Sequence, residues 1–457
     1  MLAEPGAGPG PEGLPRAYVR LALRLDRVLP GVLDAHLGDP DEAARVAAEP
    51  APRADDLARE ADRLRAALPD AGLGRARTSF LDAQLRACRV LAERAGDHPM
   101  DFAAEVERCF GVRVTRGDED RYREAHRDLA SLLEGRGALP ERLAAFRDRD
   151  RLAPQHLPAA LAAAVAALRA RTAATVGLPE GEDVALEVVD AAPWSGFSRW
   201  LGPPPRLRSA VSVNGGIPHR VTHLPLLVAH EAYPGHHTEH CRTAAAPDPR
   251  PEREVFLART PQSLVAEGAA ELGLEVVVGP GWGRWNAGVL AAAGVPTDPE
   301  RADLGEAVEA VMARLAPVRQ DAALMLHAEG RGDDEVIAHL RRWLLVDEAR
   351  ARRMLEFVAH PRWRTHTTTY VEGERLLRPW LMRPERSGRP PGRDVVTARL
   401  TRVLDDPPTP AELRGDHGAD GPPDKPSTGA GNGRRRPGWA PWLRRTVLEN
   451  RTSPGNR

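Results

Sequence analysis

The chain has 457 residues, 64 basic and 65 acidic side chains and a formal charge of −1, enough for two or three structural units or one large helical body. That balance gives no electrostatic reason for a nucleic-acid or membrane partner, and three scattered cysteines, Cys88, Cys109 and Cys241, exclude a disulfide framework. Aromatics make up only 4%, so the core has to be built from Leu, Val and Ala, which favours helices.

The first fifteen residues, MLAEPGAGPGPEGLP, are rich in Gly and Pro and read as disordered. They carry no basic n-region and no apolar h-region, and no apolar run reaches bilayer-crossing length, so a cytoplasmic location is expected. Residues 16–150 show apolar side chains at three- and four-residue spacing, as in Leu81, Leu85, Cys88 and Leu91. Breaks at Pro30-Gly31, Pro40, Asp70-Gly72 and Gly135-Leu139 divide this region into a bundle of about five helices with no catalytic signature.

Residues 151–385 form the region expected to carry the chemistry. A helix from Pro158 to about Thr172 leads into strand-like alternation at Val184-Leu186-Val188 and at Ala210–Asn214. Helical texture returns from Thr222 to about Trp380. Residues 386–457 are rich in Pro, Gly, Asp and Arg and read as a disordered tail with one short helix near Trp442–Leu448.

Histidines concentrate in one place. Six of the fifteen fall between His219 and His240, five of them in THLPLLVAHEAYPGHHTEH, where Thr222 suits an N-cap and Pro225 suits the first turn. In an HExxH helix two His at i and i+4 share a face and bind zinc, with the Glu between them as general base. Here the i+4 residue is Pro234, and six steps of about 100° turn His236 to the far side of an ideal helix. His237 returns to the right face but lies about 10.5 Å along the axis. A shared ion therefore requires a break at Pro234-Gly235, which that pair of residues permits. About thirty residues on, Glu267 in SLVAEGAAELGLE is the candidate third ligand; as the head of a ridge with Glu271 and Glu275, it also suits a solvated face.

HEAYPGHH followed by EGAAE resembles the bacterial family known as domain of unknown function 885, helical zinc-peptidase-like proteins related in pattern to the gluzincins. VRQDAALMLHAEG resembles a second segment of that family, placing Arg319, Asp321 and His327 on its positions, and TYVEG a third, placing Tyr370 and Gly373. Ala269 and Thr238 depart from the family pattern, which bears on substrate preference rather than on metal binding. The resemblance implies a mainly α fold, a large helical body with a small β-sheet beside a gluzincin-like metal-site helix pair.

The resulting expectation is a zinc-dependent hydrolase of peptide bonds acting on a peptide or peptide-like small substrate. Zn²⁺ would be held by His230, His236 and Glu267, with Glu231 as general base and Tyr370 and His327 as oxyanion donors. His327 fits a core histidine equally well, and His237 fits a supporting partner or an alternative ligand. His219, His223 and His240 read as peripheral. Asn214, on the strand before the metal helix, would either touch an extended peptide or simply form a turn. Two other functions stay open: a non-catalytic metal-binding protein of the same fold, and a hydrolase of a non-peptide amide or ester.

Overall fold

A computed structural model describes residues 13–190, 192, 194–202, 206–385 and 387–415. The fold is mainly α, with two small sheets. The N-terminal region holds seven helices rather than five: Gly13–Val28, Pro40–Ala47, Ala54–Ala67, Arg75–Ala95, Phe102–Phe110, Glu119–Leu132 and Leu139–Arg149. The further divisions fall at Pro50 and Pro52, at Gly96 and Pro99, and at Gly111 and Gly117, and they leave the short helices Pro40–Ala47 and Phe102–Phe110.

Apolar packing ties this region to the rest of the chain. Leu14, Tyr18, Leu21 and Leu85 share a core with Val255 and Leu257, and Phe102, Val106 and Phe146 share another with Val318, Trp343 and Leu355. The link to Val255 is a two-stranded antiparallel sheet of β1 (Leu33–His36) and β5 (Val255–Leu257). These strands are too short to show a period in the sequence.

A second sheet holds β2 (Asp183–Val189), β3 (Gly196–Trp200) and β4 (Arg208–Asn214). β4 lies in the middle, parallel to β2 and antiparallel to β3. Its burial on both faces fits the unbroken run Ser209-Ala210-Val211-Ser212-Val213.

Two expectations change outright. Residues 393–405 and 410–414, placed in the disordered tail, form helices, with Val396, Leu400 and Val403 in the core around the site; the helix expected near Trp442–Leu448 lies outside the described residues. And a span does reach bilayer length: Pro154–Thr175 is long and apolar enough by length and composition. Its Leu157, Ala160, Leu161, Ala164 and Leu168 pack into that same core.

Candidate metal centre

The histidine segment forms two helices, Leu224–Glu231 and His236–Ala244, separated by a break over residues 232–235. Thr222 does not cap the first helix; its hydroxyl turns to the Asp150 carboxylate instead. The break returns the chain tightly on itself. Gly235 N–H donates to the Ala229 carbonyl at 2.9 Å, and a Cβ on Gly235 would stand 1.8 Å from the His230 carbonyl oxygen. Only glycine fits there. The Tyr233–Pro234 peptide is cis.

The fold brings a third helix, Pro261–Val277, against this break. Thr260 caps it by accepting from Ser263 N–H, and Gly273 leaves room for the Pro234 ring. A fourth helix, Thr367–Leu381, crosses the third where Gly268 meets Gly373; a Cβ on either would lie within 2.6 Å of the other helix's backbone. This close crossing brings Tyr370 beside His230, and His366, its hydrogen-bond partner, to 3.9 Å from Glu267 Oε1.

There His230 Nε2 stands 3.2 Å from His236 Nε2 and 3.2 Å from Glu267 Oε2, and His236 Nε2 is 3.8 Å from Glu267 Oε1. One donor atom from each of the three lies within 4.8 Å of the other two. Two ligand atoms at about 2.0–2.1 Å from a tetrahedral zinc stand about 3.3 Å apart, so two of these edges suit that ion. Glu267 Oε2 is buried yet accepts no hydrogen bond, an unfavourable arrangement unless a cation is its partner. The donor set therefore fits a zinc ion.

The electrostatics follow the packing. Burial works against ionisation of Glu267, but His236, His230 and His366 hold its carboxyl down at about 2. Burial alone would lower His230; Glu267 and Glu271 outweigh it, and Glu271 Oε1 lies 3.4 Å from His230 Nδ1. Burial pulls His236 down to about 4, outweighing the charges of Glu267 and Glu271, with His230 and His366 adding to the fall.

Glu231 ends the first helix and stays outside the three-atom set. Burial pushes its carboxyl up to about 7, against the pull of His230 and with help from Glu267 and Asp34. β3 runs directly over it: a Cβ on Gly196 would meet Leu227 at 2.8 Å and Glu231 Cγ at 3.2 Å. Tyr370 lies on the other side, its ring centroid 6.0 Å from that of His230 and its hydroxyl 2.9 Å from His366 Nε2.

Other candidates are placed elsewhere. His327, named as an oxyanion donor, is corrected: its Nε2 is taken by the Val358 carbonyl at 2.7 Å and its ring stacks on Phe102 at 5.3 Å. Among the described residues it makes no contact with the cluster. His237 faces away from the site, with Ser209 Oγ at 2.8 Å from Nδ1 and Glu182 Oε2 at 3.0 Å from Nε2. Cys241 packs against the same ring at 3.5 Å, and burial raises its thiol far above the ordinary range. Asn214 donates to the Ala192 and Trp194 carbonyls and accepts from Gly216 N–H, and its strand is the middle of the sheet, so it makes a turn and presents no edge to a peptide. Asp321 accepts from Tyr122 OH and Gly117 N–H.

Sequence reasoning missed His366 and Glu182. His366 stands four residues before Tyr370 on one helix face, a spacing that was there to be read. Glu182 gave no local signal.

No family model matches the chain, and no curated protein matches it. The resemblance to domain of unknown function 885 is therefore corrected: the motif residues are present, but they do not make the chain a member of that family. Metal chemistry alone restricts ligand type and spacing, so short motifs of this kind arise without kinship. Two solved structures are similar to the chain. One is a protein of Shewanella oneidensis described as a lipoprotein of unknown function, 12% identical, covering 87% of this chain and 81% of that one with a TM-score of 0.47. The other is a protein of Colwellia psychrerythraea described as a lipoprotein, also 12% identical, covering 82% and 70% with a TM-score of 0.40. Likeness at this distance does not bear on function.

Proposed function

We propose that this chain is a zinc-dependent hydrolase of amide bonds in peptides or peptide-like small substrates. The observation that carries the proposal is the division of labour among four groups, two buried carboxyls and two half-buried histidines. His230, His236 and Glu267 converge on one point, while Glu231, on the same helical turn as His230, is left free of that point. A purely structural zinc is usually closed by four protein ligands and has no use for such a carboxylate.

Zinc bound there would supply a Lewis acid and a water whose pKa falls to about 7. Glu231 is suited to take the proton from the attacking water and hand it to the leaving amine, since burial keeps its own affinity for protons near neutrality. Tyr370 would donate its hydroxyl hydrogen to the oxygen that gains charge, with His366 fixing the phenol's direction. Glu271 orients His230 through Nδ1. The sheet edge nearest Glu231 is β3, and an extended substrate would lie along it.

Glu231→Gln tests this reading. The variant should keep about one zinc per chain and its melting temperature, and lose roughly 10²- to 10⁴-fold in hydrolysis of peptides found by screening the wild type. Loss of zinc would make Glu231 a ligand, and unchanged hydrolysis would move the chemistry elsewhere. A wild type that binds zinc and cleaves no amide or ester would leave a metal-binding protein.

A further inference from the structure

A cavity of about 360 Å³ lies in the N-terminal region, and none of its lining residues belongs to the metal centre. Its walls come from the end of the helix Glu119–Leu132, the loop 133–138, the helix Leu139–Arg149 and the helix Pro299–Ala313. Packed interiors close gaps far smaller than this, and the volume is that of a small-ligand site.

The floor is apolar. Leu133 and Phe146 belong to the core that reaches Val318, Trp343 and Leu355, and Leu304 packs half-buried against it. Two arginines line the same space. Arg142, Phe146 and Arg149 stand at i, i+4 and i+7, so one stripe of one helix sets the aromatic ring between two cations.

Neither cation has a carboxylate within hydrogen-bond reach among the described residues. Arg142 is half-buried, and its Nη1 donates to two neutral acceptors, the Ala130 carbonyl at 3.2 Å and the Leu133 carbonyl at 2.7 Å. Its Nε is buried and meets no acceptor, an arrangement that costs free energy. The unused edge of the guanidinium is therefore the Nε–Nη2 edge, one that a carboxylate grips with two parallel hydrogen bonds. Arg149 is exposed, at the rim. Glu134 is the one acidic residue of the lining, which leaves it one positive charge in excess.

We infer that this cavity binds a small carboxylate with a straight apolar chain, of the medium-chain fatty-acid class. The head sits on Arg142 and the chain lies against Leu133, Phe146 and Leu304. The stripe from Arg142 to Arg149 runs about 10.5 Å along the helix, which holds the chain to medium length. The inference stands apart from the hydrolase reading and survives or fails without it.

Titration calorimetry on the full-length protein tests it, with octanoate, hexanoate, octanamide and inorganic phosphate as probes. Octanoate should bind roughly tenfold more tightly than hexanoate, because two more methylenes are buried. It should bind at least about tenfold more tightly than octanamide, which cannot make the charged pair. Leu304→Trp fills the cavity with a ring and should abolish octanoate binding while melting like the wild type. Arg142→Gln should bring octanoate down to the level of octanamide. Arg149→Gln, with no partner to lose, should weaken octanoate by a smaller factor.

No binding of octanoate, or equal affinity for octanoate and octanamide, overturns the inference. So does octanoate binding that survives in folded Leu304→Trp, which would put the carboxylate elsewhere, the metal centre included. Undiminished binding in folded Arg142→Gln overturns it as well; if that variant does not fold, the octanamide comparison and Leu304→Trp decide. Phosphate bound more tightly than octanoate, and lost in Leu304→Trp, would make the cavity an anion site with no use for its apolar floor, and the inference falls.

Discussion

His236 and His237 are neighbours in one helix, yet they belong to two different kinds of polar cluster. His237 is fully buried, and both ring nitrogens are paired, to Ser209 and to Glu182. Glu182 in turn accepts from Tyr233 OH and from Arg169 Nε at 2.6 Å, so the network closes on itself. The triad of His236, His230 and Glu267 is only partly buried at its histidines, sets like atoms 3.2 Å apart and leaves a carboxylate oxygen without a donor. Residue type does not separate the two clusters, since each is built on His and Glu. Satisfaction does. A closed network fixes the chain, whereas an open one calls for something the chain lacks.

The closed network gives the largest expected effect. Glu182→Ala would leave Arg169, Tyr233 and a buried His237 without their acceptor, and breaking one side of such a pair costs about 3–5 kcal/mol. Denaturant unfolding should show that loss while zinc per folded molecule stays at about one. An unchanged midpoint would make the network ornamental, and loss of zinc from folded protein would merge the two clusters into one.

The open triad should behave in the opposite manner. Zinc at a hundredfold excess over its dissociation constant stabilises the folded chain by about 2.7 kcal/mol, an increment that chelator removes. His230→Ala should start without that increment and be indifferent to chelator, with little cost to the metal-free fold, because it opens no closed set of hydrogen bonds. A wild type whose melting temperature ignores both zinc and chelator would mean that the three atoms converge on nothing.

The sequence showed part of this arrangement. Helical arithmetic makes a break at Pro234-Gly235 the condition for His230 and His236 to meet, and the chain does break there. The glycines that flank Glu267 in the sequence are where the structure packs most closely, Gly268 against Gly373 and Gly273 against Pro234. β2 and β4 were legible by alternation, but β1, β3 and β5 have four, five and three residues, too few for a period to emerge. His327 was misplaced because a lone histidine on a helix looks the same from sequence whether it faces a cleft or the Val358 carbonyl. The role of Glu182 could not be read at all, since tertiary folding brings His237, Tyr233 and Arg169 to it from other segments.

Glu239 offers the smallest effect and the finest division between the two clusters. It sits on the helix of His236 and His237, is 3% exposed, and its side chain has no hydrogen-bond partner among the described residues. Burial lifts its carboxyl to about 8; Arg253 pulls it down, and Glu267 and Asp34 push it further up. In the unfolded chain an ordinary glutamate titrates near pH 4.3, so folding takes up a proton between there and about 8. The folded state binds that proton more tightly, so the contribution is fully present below the unfolded value and is lost as pH rises through the window. Metal-free protein should therefore melt at progressively lower temperature from pH 5 to pH 8. In Glu239→Gln, which carries no titrating group at this position, that decline should flatten, most visibly at the alkaline end. Zinc in the triad would neutralise Glu267, one of the charges that raise Glu239, so loading the wild type should lower the folded-state value and shift the decline toward lower pH. If zinc leaves the decline where it was in the metal-free protein, Glu239 does not sense the triad and belongs electrostatically with the closed network around His237.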